Sequence, residues 1–496
     1  MLRMSAGILV TIFLCIAQSH GADLKAKSVQ GALSPPNIVL IISDDQGYAD
    51  LQVADLAHDV KTPNLDRLAN MGVRFKQAYV SAPICNASRA GLATGSYQQR
   101  FGVWWYGGEG LRDSKFQTIA EVLKGQGYRT GYFGKFHYGS PQHESRQSRN
   151  FPLNHGFDEL FGFSGGRKHY LFHDDKSEQT FRKVLTDNGI DTGYEGLQMQ
   201  PFWVNDVQKD QFGFSTELIG KAARDFMKSS QDKPFFAQIA FNAVHNFTHQ
   251  LPKDYLEKKG LTGFPGDWDP AKDGYLDWYK RGRFPHNPEG RAQYLGHLEY
   301  LDQEIGKIMT HLEKSGMMKN TLVVYISDNG GSTPIGANNS PFRGSKYTLY
   351  EGGIRVPMII AAPGRVKGGR VVDNMVSSLD LLPTLAAMGG AVQAVRTDGM
   401  DLTPLLSGQN NELSHEALVW DTGREIAVRY GRWKYRAGGD LANARIEMVD
   451  LERGEHLHDL EKDPGERFNL IESQPEILRK MKEIHSRWKL NVVNND

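Results

Sequence analysis

A chain of 496 residues with 40% hydrophobic side chains can bury a large core, and at about 150 residues per domain it allows two or three structural units. Its 58 basic and 58 acidic side chains are interspersed and cancel, so no extended cationic face is offered to a polyanion, and nucleic acid is excluded as an expected partner.

Residues 1–22 read as an export signal. Arg3 provides the basic start, residues 6–17 an apolar run, and Ser19-His20-Gly21-Ala22 the small residues of a cleavage site. A run of about 12 apolar residues is too short to span a bilayer, which takes about 20. Leu14 stands before Cys15 where a lipoprotein signal needs a small residue, so lipid anchoring is disfavoured. The mature chain is expected to be periplasmic or secreted, with no membrane attachment. Cleavage removes Cys15 and leaves Cys85 as the sole thiol, which forbids an intramolecular disulfide.

Residues 37–42 form a continuous apolar run that ends in Ser43-Asp44-Asp45-Gln46-Gly47, the pattern of a strand buried on both faces that delivers polar groups at its carboxyl end. Residues 235–241 and 321–326 repeat it, leading to Asn242 and Asp328. Helical patterns over 63–71, 118–124, 216–227 and 294–312 lie between such strands. The alternation predicts an α/β fold: a large mixed, mostly parallel sheet flanked by helices, with ligands beyond the strands' carboxyl ends. From residue 409 the texture changes to short β-like runs at 417–420, 426–435, 447–451 and 457–460. A closing helix follows, with Ile477, Leu478, Met481, Ile484 and Trp488 on one face. This predicts a catalytic domain over 34–408 and a smaller C-terminal α+β domain over 409–496. Residues 140–154 and 260–288 read as surface insertions near the site face.

Cys85 precedes a candidate helix that starts near Ser88, so backbone N–H groups and Arg89 would face it. A thiol there is either a small buried hydrophobe or a nucleophile of lowered pKa. Asp44-Asp45 and Asp328-Asn329, each compatible with a simple turn, could together form an oxygen cage for a hard divalent cation if the sheet gathers its strand tips. Lys135 and His137, His245, and Lys346 occupy further strand ends, where each alone would be ordinary surface or core.

Taken together these residues resemble the type I formylglycine-dependent sulfatases of the alkaline phosphatase superfamily. Cys85-Asn86-Ala87-Ser88-Arg89 through Thr94-Gly95 is similar to that family's C-x-[PA]-S-R-x(4)-T-G signature. Asp44-Asp45-Gln46-Gly47, Gly134-Lys135-Phe136-His137, Asn242-Ala243-Val244-His245, Ser327-Asp328-Asn329-Gly330-Gly331 and Arg343-Gly344-Ser345-Lys346 through Pro357 follow its other blocks in order. So does Leu457-His458-Asp459-Leu460 through Pro464. Phe136 stands for the usual tryptophan, and Val244 and Ala87 for usual prolines.

The resemblance implies an alkaline phosphatase-like fold and hydrolysis of a sulfate ester through a sulfated enzyme intermediate. A maturation enzyme would oxidise Cys85 to Cα-formylglycine, whose hydrate is the nucleophile. Asp44, Asp45, Asp328 and Asn329 would hold Ca2+, Arg89 would orient the nucleophile, and Lys135 and Lys346 would neutralise sulfate oxygens. His137 would be the base and His245 the leaving-group acid. With three cations, a calcium cage near −1 and a sulfate ester at −1, the site would carry about +1.

A sulfated carbohydrate is the expected substrate. Arg167, Lys168 and His169, the run Trp104-Trp105-Tyr106, and residues 268–283 combine aromatic faces with cations, although the tryptophans could equally pack the core. The alternatives are a small-molecule arylsulfatase, a phosphonate or phosphate ester hydrolase of the same superfamily, and a non-catalytic protein that binds sulfated glycans.

Overall fold

The computed structural model describes residues 34–112, 114–165, 170–172, 187, 201–230, 232–261, 287–391, 395–438 and 452–493. Residues from Pro35 onward form one compact unit. Its strands are β1 (Asn37–Ser43), β2 (Val73–Tyr79), β3 (Arg129–Phe136), β4 (Glu159–Ser164), β5 (Leu171–Phe172), β6 (Phe202–Val204), β7 (Val207–Lys209), β8 (Gly213–Phe214), β9 (Phe235–Ala240), β10 (Thr321–Ser327), β11 (Met358–Ala361) and β12 (Arg370–Ser377), followed by β13 (Ala417–Asp421), β14 (Glu425–Tyr430), β15 (Trp433–Gly438) and β16 (Gly454–Asp459). Ten strands build the main sheet in the order β12-β2-β11-β10-β1-β9-β3-β4-β6-β7. Strands β10, β1, β9, β3 and β4 run parallel, so the residues that follow them emerge at one edge.

Alternation along each central strand divides the interior in two. Ile38, Leu40 and Ile42 share one core with Val324, Ile326 and the helices α2 (Cys85–Thr94) and α3 (Ile119–Gly125) below, whereas Val39 and Ile41 face the opposite core. To name the helices in chain order, α1 is Pro63–Met71, and α4 and α5 are Ser215–Lys228 and Gly290–Lys314; these three cover the second face. Burial on both faces explains why these strands read as unbroken apolar runs. Ends are capped specifically. Thr118 forms a capping box with Glu121, and the buried carboxylate of Asp302 accepts from the N–H groups of Asn64 and Leu65 at the start of α1.

The C-terminal part carries the antiparallel meander β13-β14-β15-β16. The run 426–435 is divided at Gly431 into two strands of a hairpin, because a left-handed residue is needed there (φ +52°). The run 447–451 lies outside the described residues. The closing helix, α6 (Pro475–Val492), buries Met481 and Trp488 against Val419, Val428, Tyr435 and Leu457, and Ile477, Leu478 and Ile484 pack at its margin. The meander's other face belongs to the main core through Leu418, Trp420 and Ala427, and the Trp420 indole donates to Val80 O at 2.7 Å.

Residues 140–154 are not a surface insertion throughout. They hold two short 3-10 turns, and Glu144, Asn150 and Phe151 are buried because Asn150 bridges the carbonyls of Glu109 and His143. Within 260–288, residues 262–286 lie outside the described residues. Among the described residues no helix is long and apolar enough to cross a membrane.

A fully buried ion cluster fastens the meander to the main body. The Lys434 ammonium lies 3.0 Å from Glu351 and 2.9 Å from Glu466. Burial alone would raise Glu351, but Lys434, Arg355 and Arg429 hold it at about 2, whereas burial raises Glu466. Lys434→Met removes the shared cation, leaving Glu466 buried without its ion-pair partner and Glu351 with Arg355 as its ion-pair partner. We expect a loss of about 3–5 kcal/mol in denaturant unfolding; a change under about 1 kcal/mol would show that the cluster is dispensable.

Candidate active site

The parallel register sets the positions of the site residues. Ser43 pairs with Ser327 across β1 and β10, and the pairing continues one step further: Asp328 N donates to Ser43 O at 3.0 Å and Asp44 N to Ala243 O at 2.9 Å. Asp44, Asp45, Asp328 and Asn329 are therefore brought together at the sheet edge, all fully buried or nearly so. Asp45 adopts a left-handed backbone (φ +63°), which an aspartate tolerates, and its N–H reaches Asp328 Oδ1 at 3.2 Å. The Asn329 amide donates to Asp45 Oδ1 at 2.8 Å, while its buried Oδ1 has no hydrogen-bond partner among the described residues. The short helix Glu351–Ile354 presses on this loop: a Cβ on Gly330 would stand 2.0 Å from Gly352 O, so only glycine fits.

Three cations oppose the three carboxylates. Arg89 reaches Asp328 at 2.8 and 2.9 Å, Lys135 reaches Asp44 at 2.5 Å, and Lys346 reaches Asp45 at 2.7 Å. Burial raises Asp44 to about 7, reinforced by the Asp328 charge and opposed by Lys135 and Arg89. Burial also works against both lysine ammonium groups, yet the negative neighbours together, led by Asp44 for Lys135 and by Asp45 for Lys346, hold both lysines above their ordinary range. The donor set fits a hard divalent cation: carboxylate oxygens and an orphaned amide oxygen, all buried. Geometry alone also groups Asp44 and Asp45 with Cys85 and His245, whose ligand atoms lie within 4.8 Å of one another. The two groupings share Asp44 and Asp45, and the oxygen-rich one is the better match to a hard ion because sulfur and imidazole favour softer metals.

Helix α2 begins at Cys85 itself, three residues earlier than the sequence pattern indicates. Ser88 resembles a capping residue, but its N–H already donates to Ile84 O, so it lies inside the first turn. Cys85 is buried, with Sγ 3.7 Å from Asp44 Oδ1. Burial pushes its thiol up to about 12 despite Lys135 and Lys346, which is opposite to a low-pKa nucleophile. His137 is equally enclosed, and neither ring nitrogen has a hydrogen-bond partner among the described residues. Burial and the cations Lys135, Arg89 and Lys346 keep it well below the usual imidazole range, hence neutral. The Nε2 atom of His245 lies 3.1 Å from the Lys346 ammonium and 3.4 Å from Asp45.

Residues 85, 89, 135, 137, 245 and 346 thus converge with the carboxylates in one buried cluster. Arg167, Lys168, His169 and residues 268–283 lie outside the described residues. Tyr170 is fully buried, and its hydroxyl donates to Asn242 O at 2.5 Å, which supports the His245 turn from within. Sequence reasoning missed Asn339. Its side chain accepts from Gly331 N and donates to the carbonyls of Gly331 and Gly344, tying the Asp328 loop to the Lys346 loop. An isolated asparagine in a polar loop gives no pattern from which that role could be read.

A sheet that gathers buried carboxylates, three cations and a buried cysteine at the start of a helix at its strand ends fits a hydrolase of anionic esters. The chain belongs to the sulfatase family: residues 36–391 match the Sulfatase family model, and residues 344–492 match the model described as N-sulphoglucosamine sulphohydrolase, C-terminal. It is a sulfuric ester hydrolase. It is 31% identical to human (Homo sapiens) Arylsulfatase A over 492 residues, covering 91% of this chain and 87% of that protein. It is 30% identical over 488 residues to N-acetylgalactosamine-6-sulfatase of Canis lupus familiaris, covering 90% and 84%. The crystal structure of Ps i-CgsB in complex with k-i-k-neocarrahexaose superposes with a TM-score of 0.74 at 29% identity, covering 92% of this chain and 93% of that one.

Proposed function

We propose that this sulfatase is exported and removes sulfate from a sulfated oligosaccharide or polysaccharide, using Cα-formylglycine that a maturation enzyme makes from Cys85. The observation that carries the reading is the crowding around buried position 85: Cys85 Sγ lies 3.7 Å from Asp44, which Lys135 and Arg89 meet, and within 4.8 Å of His245, which touches Lys346. The names of two similar proteins, an N-acetylgalactosamine-6-sulfatase and a protein crystallised with a neocarrahexaose, support a carbohydrate substrate. The phosphonate alternative has only likeness of fold behind it, at 21% identity to the phosphonate monoester hydrolase of Agrobacterium radiobacter.

Formylglycine hydrate supplies two hydroxyls on one carbon, one to attack sulfur and one whose deprotonation expels the sulfate. Asp44, Asp45, Asp328 and Asn329 would hold calcium, which supplies positive charge beside the reacting oxygens. The chain's own cations do the rest of the electrostatic work. Lys135 and Lys346 face the sulfate oxygens as charge shifts toward the leaving oxygen, and Arg89, fixed by Asp328 and by Lys135 O, orients the attacking group. His137, held neutral, can accept a proton from residue 85's second hydroxyl, and His245 can deliver one to the departing alcohol.

Two outcomes are expected. Asp328→Asn keeps the shape of the cage and removes one charge, so the purified variant should bind calcium at least about tenfold more weakly. Wild-type metal content on elemental analysis would refute the assignment. His245→Ala should slow release of sulfate from a sugar ester at least about a hundredfold more than from nitrophenyl sulfate, because a sugar alkoxide needs protonation and a nitrophenolate does not. Equal losses on the two substrates, measured as sulfate released, would contradict the role of His245.

A further inference from the structure

The charged floor of the site has an aromatic border with no acid, base or metal-binding role. Tyr106 is 46% exposed, and its ring centroid lies 5.9 Å from that of His137. Trp105 is half-buried and lies 6.2 Å from Tyr347, whose ring carries the Lys346 ammonium 5.3 Å from its centroid. The row therefore runs from His137, the proposed base, to the lysine that touches His245, the proposed leaving-group acid. Trp104 is separate from it, resting against Gly423 of the meander.

The border is built to hold its position. Asn86, fully buried and next to Cys85, donates its amide to Trp105 O at 3.2 Å and Gly107 O at 2.9 Å. Gly107 and Gly108 adopt positive φ (+87° and +81°), and Ser140 N fixes Gly108 O at 2.8 Å just beyond His137. On the other side Tyr347 sits at φ +75°, a strained conformation for a large side chain, held by its N–H on Pro83 O at 2.8 Å. Strain kept beside a catalytic lysine, together with a clamp from the nucleophile's neighbour, argues against incidental surface packing. Apolar faces gain nothing from a sulfate group, but they gain from a flat ring.

We propose that Tyr106, Trp105 and Tyr347 border the leaving-group subsite, with the exposed Tyr106 against one face of a six-membered ring that bears the sulfate, and that Asn86 is a positioning residue setting the distance from that ring to position 85. The proposal rests on the sulfate-ester reading above and deepens it. The shared ligand chemistry is a flat ring, either the C–H face of a pyranose or an aryl ring. An acyclic alkyl sulfate has no such face.

The mature full-length enzyme is assayed for sulfate release from sulfated pyranosides, from 4-nitrophenyl sulfate and from a short-chain alkyl sulfate. Tyr106→Ala should lower kcat/KM for ring esters about tenfold, with a loss on the alkyl ester at least about fivefold smaller, and Tyr106→Phe should restore the ring esters to within about twofold. Asn86→Ala should raise KM for ring esters while leaving the alkyl KM much less changed; a purely structural role would depress all substrates alike. If the wild type cleaves ring esters and no alkyl ester, the subsite is supported. Cleavage of the aryl ester and no pyranoside supports the ring subsite and defeats the carbohydrate reading. Equal loss on ring and alkyl esters in Tyr106→Ala, or a wild-type preference for the alkyl ester, overturns the proposal, and absence of any sulfate release defeats both.

Discussion

Three carboxylates cannot share a buried pocket unless positive charge is brought against them, and the site is organised around that constraint. Asp44, Asp45 and Asp328 lie at the tips of adjacent strands with almost no solvent contact. Each is met by its own cation from a different part of the chain: Lys135 from the end of β3, Lys346 from the loop beyond β10, and Arg89 from α2. The formal charges balance within the protein, so a further divalent cation leaves a net positive site that suits an anionic ester. Burial and the same cations hold the His137 imidazole neutral.

The fold supplies the precision that such a balance needs. Parallel pairing of β1 with β10 and β9 delivers three strand tips to one edge, and backbone hydrogen bonds carry the register past the strand ends into the functional loops. Gly330 lets the Glu351 helix lie directly on the Asp328 loop, and Gly352 and Gly353 let the same helix pack against the 343–348 loop that carries Lys346. Glu351 in turn belongs to the buried cluster with Lys434 and Glu466, so the meander braces the cage from behind. Among its described residues the C-terminal sheet supplies no member of the site's charged cluster, and it is tied to that cluster through Glu351.

Much of this was legible in the sequence because strands buried on both faces leave an unmistakable apolar run, and such a run ends where the functional groups begin. The helices at 63–71 and in the C-terminal amphipathic segment could be read for the same reason: their apolar spacing is complete. What was hidden depends on contacts between distant segments. The first turn of α2 begins at Cys85 because Ile84 O, not a polar side chain, receives its hydrogen bond. The hairpin within 426–435 is set by a single glycine. Asn86, Asn339 and Tyr347 act through hydrogen bonds or conformations that no local pattern signals. The split fate of Trp104-Trp105-Tyr106 likewise depends on the carbonyls that Asn86 clamps.

The account turns on what occupies position 85. Burial pushes an unmodified thiol there up to about 12, which makes it a poor nucleophile. The most direct measurement is peptide mass spectrometry of residue 85 in the purified enzyme, with the modified fraction compared with the rate of sulfate release across preparations of differing maturation. Activity should rise in proportion to the fraction carrying the aldehyde or its hydrate and vanish as that fraction approaches zero. Full activity in a preparation whose Cys85 is entirely unmodified thiol would contradict the account.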